Sequence, residues 1–104
     1  MTVRTKYTAW PTGEQDIVRQ RIAAHRAADE IVQGIGWENG HGCAVGCSLD
    51  HYSHEEYSRV LGVSPEVAQL VDAIHEGLSP TDSLDWPMRV AEALVPGADV
   101  SDAW

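Results

Sequence analysis

Apolar positions recur at helical spacing along most of this chain. In the first third, Ile17, Val18, Ile22, Ala24, Ala28, Ile31 and Val32 follow that rhythm until Gly34 and Gly36 interrupt it. Thr12 and Gln15 have capping-box spacing and Pro11 precedes them, so the pattern predicts a first helix from about Glu14 to Gln33. His25 lies on the flank of its apolar face, where a histidine packs at a helix seam. Five glycines follow, Gly34, Gly36, Gly40, Gly42 and Gly46, with Asn39-Gly40 as a tight turn. Trp37 inside this loop is the residue whose ring would anchor it to a core.

The second half is punctuated more sharply. Ser53 and Glu56 again have capping-box spacing, and Tyr57, Val60 and Leu61 form one face before Gly62, which predicts a short helix. Ser64 and Pro65 open another, whose apolar positions Val67, Leu70, Val71, Ile74 and Leu78 run until Gly77 and Pro80. Asp85 and Pro87 start a last helix, with Trp86, Val90, Ala91, Leu94 and Val95 on its apolar face and Pro96-Gly97 at its end. No stretch alternates convincingly at period two, although Ala44 to Leu49 also admits an extended reading. The expected fold is all-α: a single acidic helical domain over 1–104, with four to five short helices, a glycine-rich loop after the first, an N-terminal arm at 1–11 and a tail at 99–104.

Length allows one modest core, since a chain of 104 residues buries roughly 60–70% of its unfolded surface. Charge changes the picture more. The chain carries 7 Lys and Arg against 16 Asp and Glu, a formal net charge of -9. Residues 1–30 are nearly neutral, with five cations and four anions, whereas residues 31–104 hold two cations and twelve anions. Such a surface repels phosphate backbones and favours a basic partner. No apolar run approaches the roughly 18 residues of a membrane span, and Met1 to Trp10 lacks the apolar core of a secretory signal, so a cytoplasmic protein without membrane contact is expected.

The densest chemistry is His41, Cys43, Cys47, Asp50, His51 and His54, six potential ligands within fourteen residues. A single helix over 43–57 would align Cys43, Cys47, Asp50, His54 and Tyr57 on one stripe, and the alternative set for a tetrahedral zinc site is Cys43, Cys47, His51 and His54. The spacing departs from the usual C-x2-C pairs. Packing of small buried thiols is a competing reading, and a Cys47 nucleophile served by His51 or His54 is the weakest. The glycines match neither dinucleotide nor phosphate loops, and no enzyme is expected.

Tyr57 to Ile74, YSRVLGVSPEVAQLVDAI, resembles the helix-turn-helix of bacterial repressors. Base reading would need donors on the second helix, yet its outward positions are Glu66, Gln69, Asp72 and Glu76, so direct nucleic-acid binding is not expected. Over a longer range, HRAAD at 25–29, WENGHGCAVGC at 37–47, HYSHEEY at 51–57, LGVSPEVAQLVDAIHEGL at 61–78, WP at 86–87 and VPGADVS at 95–101 give the chain its pattern. That pattern resembles a group of small bacterial and phage-associated proteins. The group often carries a histidine where Asp50 stands, so Asp50 or His51 would have to substitute in any metal site.

The resemblance implies a mobile-element context and assigns no activity. By class analogy, acidic phage proteins of this size include anti-CRISPR inhibitors that occupy DNA-binding surfaces as DNA mimics. The expected function is therefore a non-enzymatic inhibitor in the bacterial host cell. Glu66, Asp72, Glu76, Asp82 and Asp85 would dock on a basic, nucleic-acid-handling surface of a host or defence protein of CRISPR type. The alternatives are a small structural-zinc protein and a helix-turn-helix regulator.

Overall fold

The computed structural model describes residues 7–101. Their order is α1 (Gln15–Ala27), β1 (Trp37–Glu38), β2 (His41–Gly42), α2 (Ala44–Leu49), α3 (His54–Leu61), α4 (Pro65–Gly77), α5 (Pro80–Ser83) and α6 (Trp86–Ala93). The chain is thus mostly helical but not strictly all-α, because a two-stranded antiparallel hairpin interrupts it. No helix among the described residues is long and apolar enough to cross a membrane.

α1 buries Val18 and Ile22 and ends six residues before the expected Gln33. Asp29 takes a left-handed conformation, φ 59°, and the chain then runs extended. Ile31 bridges Gly42 in parallel, with Gly42 N donating to Glu30 O and Val32 N donating to Gly42 O. Ile31 and Val32 fit the helical period, but two β-branched residues beside an open hairpin edge find backbone partners there, and Ile31 is buried without a helix. Thr12 does not cap α1; its hydroxyl donates to the Glu14 carboxylate instead.

The hairpin turns at Asn39 and Gly40, both with φ > 0, as a type I′ turn requires and as the sequence predicts. α2 corrects the extended reading of 44–49. All six of its residues are buried, and it packs against α1, α3, α4 and α6. Gly46 makes this position possible, since a Cβ there would overlap the Gly36 carbonyl.

Local signals hold in the second half. Ser53 Oγ accepts from Glu56 N at 3.0 Å, Gly62 ends α3 at φ 80°, and Ser64 Oγ accepts from Val67 N at 3.2 Å. Ser79 caps α5 in the same way through Asp82 N, a one-turn helix not anticipated from sequence. Trp86 Nε1 donates to Val71 O at 2.9 Å and ties α6 to α4.

The first and last described residues meet. Ala9 and Trp10 are buried, Trp10 Nε1 donates to Leu94 O, and Val100 N donates to Tyr7 O. Residues 7–11 and 99–101 are therefore parts of the packed fold rather than arm and tail; the remainder of both assigned segments lies outside the described residues.

Candidate functional site

Two neighbouring side chains and a thiol from another turn of chain converge on one carboxylate. Cys43 stands at the N-cap of α2, Tyr52 in the following loop, His54 at the first position of α3 and Asp72 in the middle of α4. The Tyr52 hydroxyl donates to Asp72 Oδ2 at 2.5 Å, and His54 Nε2 lies 2.9 Å from the same oxygen. The tyrosine and histidine rings meet edge to face, centroids 5.1 Å apart. Burial alone would raise the Asp72 carboxyl, but hydrogen bonds from Tyr52, His54 and Cys43 outweigh it and hold the group below the ordinary carboxylate range. Burial first, then the charge of Asp72, pushes the Tyr52 phenol up. Asp72 is thus an anionic clamp that joins α2 and α3 to α4.

The thiols are held as thiols. Burial raises Cys43 to about 11, with Asp72 adding to the shift, and raises Cys47 to about 12, with Cys43 adding to it. Cys47 Sγ donates to Gly42 O at 3.3 Å. Neither group carries the depressed pKa of a reactive cysteine. The candidate metal set is dispersed: Cys43 and His54 meet only through Asp72, Cys47 points at a backbone carbonyl, and His51 Nδ1 lies 3.2 Å from Leu49 O. The left-handed Asp50, φ 59°, ends α2 and breaks the single helix over 43–57 that would have aligned the stripe. Among the described residues no three His, Cys, Asp or Glu side chains gather as metal ligands do.

A second polar knot mirrors the first. His25 Nδ1 lies 2.7 Å from Glu30 Oε1 and Nε2 lies 2.7 Å from Asp50 Oδ1, so one imidazole bridges the C-terminal ends of α1 and α2. Trp37 contacts the same ring edge to face at 5.2 Å and packs on the core. Burial works against protonation of His25, yet the hydrogen bonds to Asp50 and Glu30 and their charges raise it above its ordinary value.

The five expected docking residues divide. Glu66 and Asp82 are exposed and have no side-chain partner among the described residues. Asp85 meets Arg26 Nε at 3.4 Å, and Glu76 accepts from Gly34 N through both carboxylate oxygens at 3.0 and 2.8 Å. Asp72 faces the clamp rather than outward, because Tyr52 and His54 cover its side of α4.

Two concavities flank α4. On one side, α4 and α6 enclose an apolar groove of about 350 Å³, lined by Val67, Leu70, Ile74, Trp86 and Val90 among others, with Arg89 at its edge. On the other, a polar cleft of about 620 Å³ lies between the glycine-rich loop and α4, lined by Gly34, Gly36, Trp37, Cys43, Tyr52, Asp72 and Glu76. Sequence reasoning missed Tyr52, which no periodicity marks, and missed the groove. The exposed Leu70 on an otherwise helical core pattern is the one local sign of the latter. Comparison with protein-family models, with curated proteins and with solved structures finds no match for this chain.

Proposed function

We propose that the protein is a non-enzymatic interaction domain that binds a basic protein surface of the nucleic-acid-handling kind and blocks it. The observation that carries this reading is the unequal fate of its charges. Arg19 pairs with Asp16 and Glu92, Arg26 with Asp85 and Arg59 with Glu56, while Arg21 donates to Ser48 O. Such exposed pairs add little stability. They do neutralise Arg19, Arg26 and Arg59, and they leave Glu38, Glu55, Glu66 and Asp82 without cationic partners among the described residues.

The groove adds apolar contact to this field. Glu66 precedes Val67 at the start of α4, and Asp82 and Asp85 lie just before Trp86 at the start of α6. An apolar groove whose helices begin in acidic residues suits an amphipathic segment with basic flanks, laid against α4 and α6. The thiols, raised by burial, offer no competing chemistry.

The test is capture of partners from host lysate at low salt with the wild type and with a Glu66→Lys/Asp82→Lys variant. Wild type is expected to retain a basic, nucleic-acid-handling protein, to release it steeply as salt rises, and to lose it in the double variant. Absence of such a partner at low salt overturns the proposal, as does equal capture by the charge-reversed protein.

A further inference from the structure

The polar cleft on the other flank of α4 combines features that the docking surface as a whole lacks. Two aromatic rings stand at it, Trp37 from the hairpin and Tyr52 from the loop between α2 and α3. Gly34 and Gly36 line it with backbone alone, and the Tyr52 ring packs on Gly36, where a Cβ would sit 2.5 Å from ring carbons, while Tyr52 stays 46% exposed. Two carboxylates from successive turns of α4, Asp72 and Glu76, complete the wall.

These carboxylates are not equivalent. Asp72 is occupied by Tyr52, His54 and Cys43, and those bonds keep it ionised, so it contributes fixed negative charge and little spare accepting capacity. Glu76 is exposed and among the described residues accepts from the Gly34 N–H alone, through both oxygens, whereas an ionised carboxylate has about four acceptor positions. It keeps accepting capacity in a cleft that two aromatic residues also line.

We propose that this cleft binds a single planar guanidinium, the side chain of an arginine on the basic partner. A guanidinium stacks on an aromatic ring and engages a carboxylate through a two-pronged hydrogen-bond fork; a compact ammonium satisfies only the charge. Gly34 N–H holds Glu76 through both of its oxygens and leaves their outer lone pairs for the guanidinium, Asp72 adds its charge, and Tyr52, 46% exposed, together with the half-buried Trp37 supplies ring surface. This inference rests on the reading of the protein as a receptor for a basic partner, and it names the group that is recognised at one point of the contact.

The full chain, labelled with ¹⁵N, would be titrated with N-acetylarginine amide and, in parallel, with the amides of N-acetyllysine and N-acetylcitrulline. Saturable shifts are expected at the Gly34 and Gly36 amides and the Trp37 indole with arginine, weaker ones with lysine and none with citrulline, which has the same shape without charge. Glu76→Gln, an exposed and nearly isosteric change, should weaken the arginine effect about tenfold, the loss of one charge-assisted hydrogen bond, while Asp82→Asn should not alter it. Absence of saturable shifts at these three groups overturns the inference, as does an equal response to citrulline. Arginine shifts confined to Glu66 and Asp82 would remove the cleft and leave the acidic docking surface intact. Cleft binding together with failure to capture any basic partner would do the reverse.

Discussion

The two polar knots of this molecule are built with opposite polarity. In one, a single carboxylate, Asp72, gathers donors from Cys43, Tyr52 and His54. In the other, a single imidazole, His25, is shared by the carboxylates of Glu30 and Asp50. Both join α2 or its C-terminal end to another helix, and both lie beside the glycine-rich loop. In the anionic hub the Cys43 thiol and the Tyr52 phenol are pushed up by burial and by Asp72 itself, so both keep their protons near neutral pH. The cationic hub depends on a proton that its two carboxylates hold more tightly than an ordinary imidazole does, and that is lost as pH rises. One knot is therefore permanent and the other conditional, although their hydrogen-bond lengths are alike.

The sharpest way to break the comparison is to remove the hub of the permanent knot. Asp72→Ala leaves the donors of Tyr52, His54 and Cys43 without their acceptor in a partly buried site, and a loss of about 2–3 kcal/mol is expected in urea or thermal unfolding. Asp72→Asn keeps the shape and one acceptor oxygen, and should recover part of that loss. An Asp72→Ala protein as stable as wild type would show that the clamp decorates α4 rather than holding α2 and α3 to it.

This hub was out of reach of sequence reasoning for a physical reason. Turn and cap chemistry is local: Asn39-Gly40, Ser53 with Glu56, and Ser64 with Pro65 each declare their conformation within four residues, and each stands where expected. Asp72 satisfies the same helical positions whether it faces water or Tyr52, which is 20 residues away. Ile31 keeps the period of a helix but is claimed by Gly42, and Ala44–Leu49 has no polar face to give it a period because every one of its residues is buried. The pairing of Tyr7 with Val100 is more remote still, and nothing local to either end announces it. The Cys and His residues were recognised as a cluster, but only a break at Asp50 decides which way each one points.

The conditional knot makes a smaller and more specific prediction. Because the folded-state pKa of His25 is raised, its contribution is fully present below the unfolded value near 6.5 and is lost as pH rises through the folded value. Asp72 moves the other way: its pKa is lowered, so its contribution is complete above the unfolded carboxylate value and fades only in acid, as pH falls through the folded value. Above the ordinary carboxylate range Asp72 stays ionised, so of these two hubs it is His25 whose charge falls as pH rises. The stability difference between wild type and His25→Gln, followed from about pH 5.5 to 8.5, should be about 1 kcal/mol at the acid end and shrink towards the alkaline end. A His25→Gln deficit that is independent of pH would mean that the neutral ring makes the contact and the proton adds nothing.

The smallest effect separates the two thiols. Cys43 belongs to the anionic knot and lines the cleft, whereas Cys47, its neighbour one helical turn on, is bonded to the Gly42 carbonyl. In the wild type both should resist iodoacetamide at pH 7, since burial holds their pKa values at about 11 and 12 and leaves almost no thiolate. Asp72→Asn removes a negative charge that acts on Cys43 and loosens the contact covering it, while the corresponding charges on Cys47 come from Cys43, Glu30 and Asp50 and remain. Peptide mapping should therefore show Cys43 gaining more reactivity than Cys47 in the variant. Equal gains at both sites would mean that the thiols are reached through unfolding of the whole domain, and that the clamp does not open as a unit of its own.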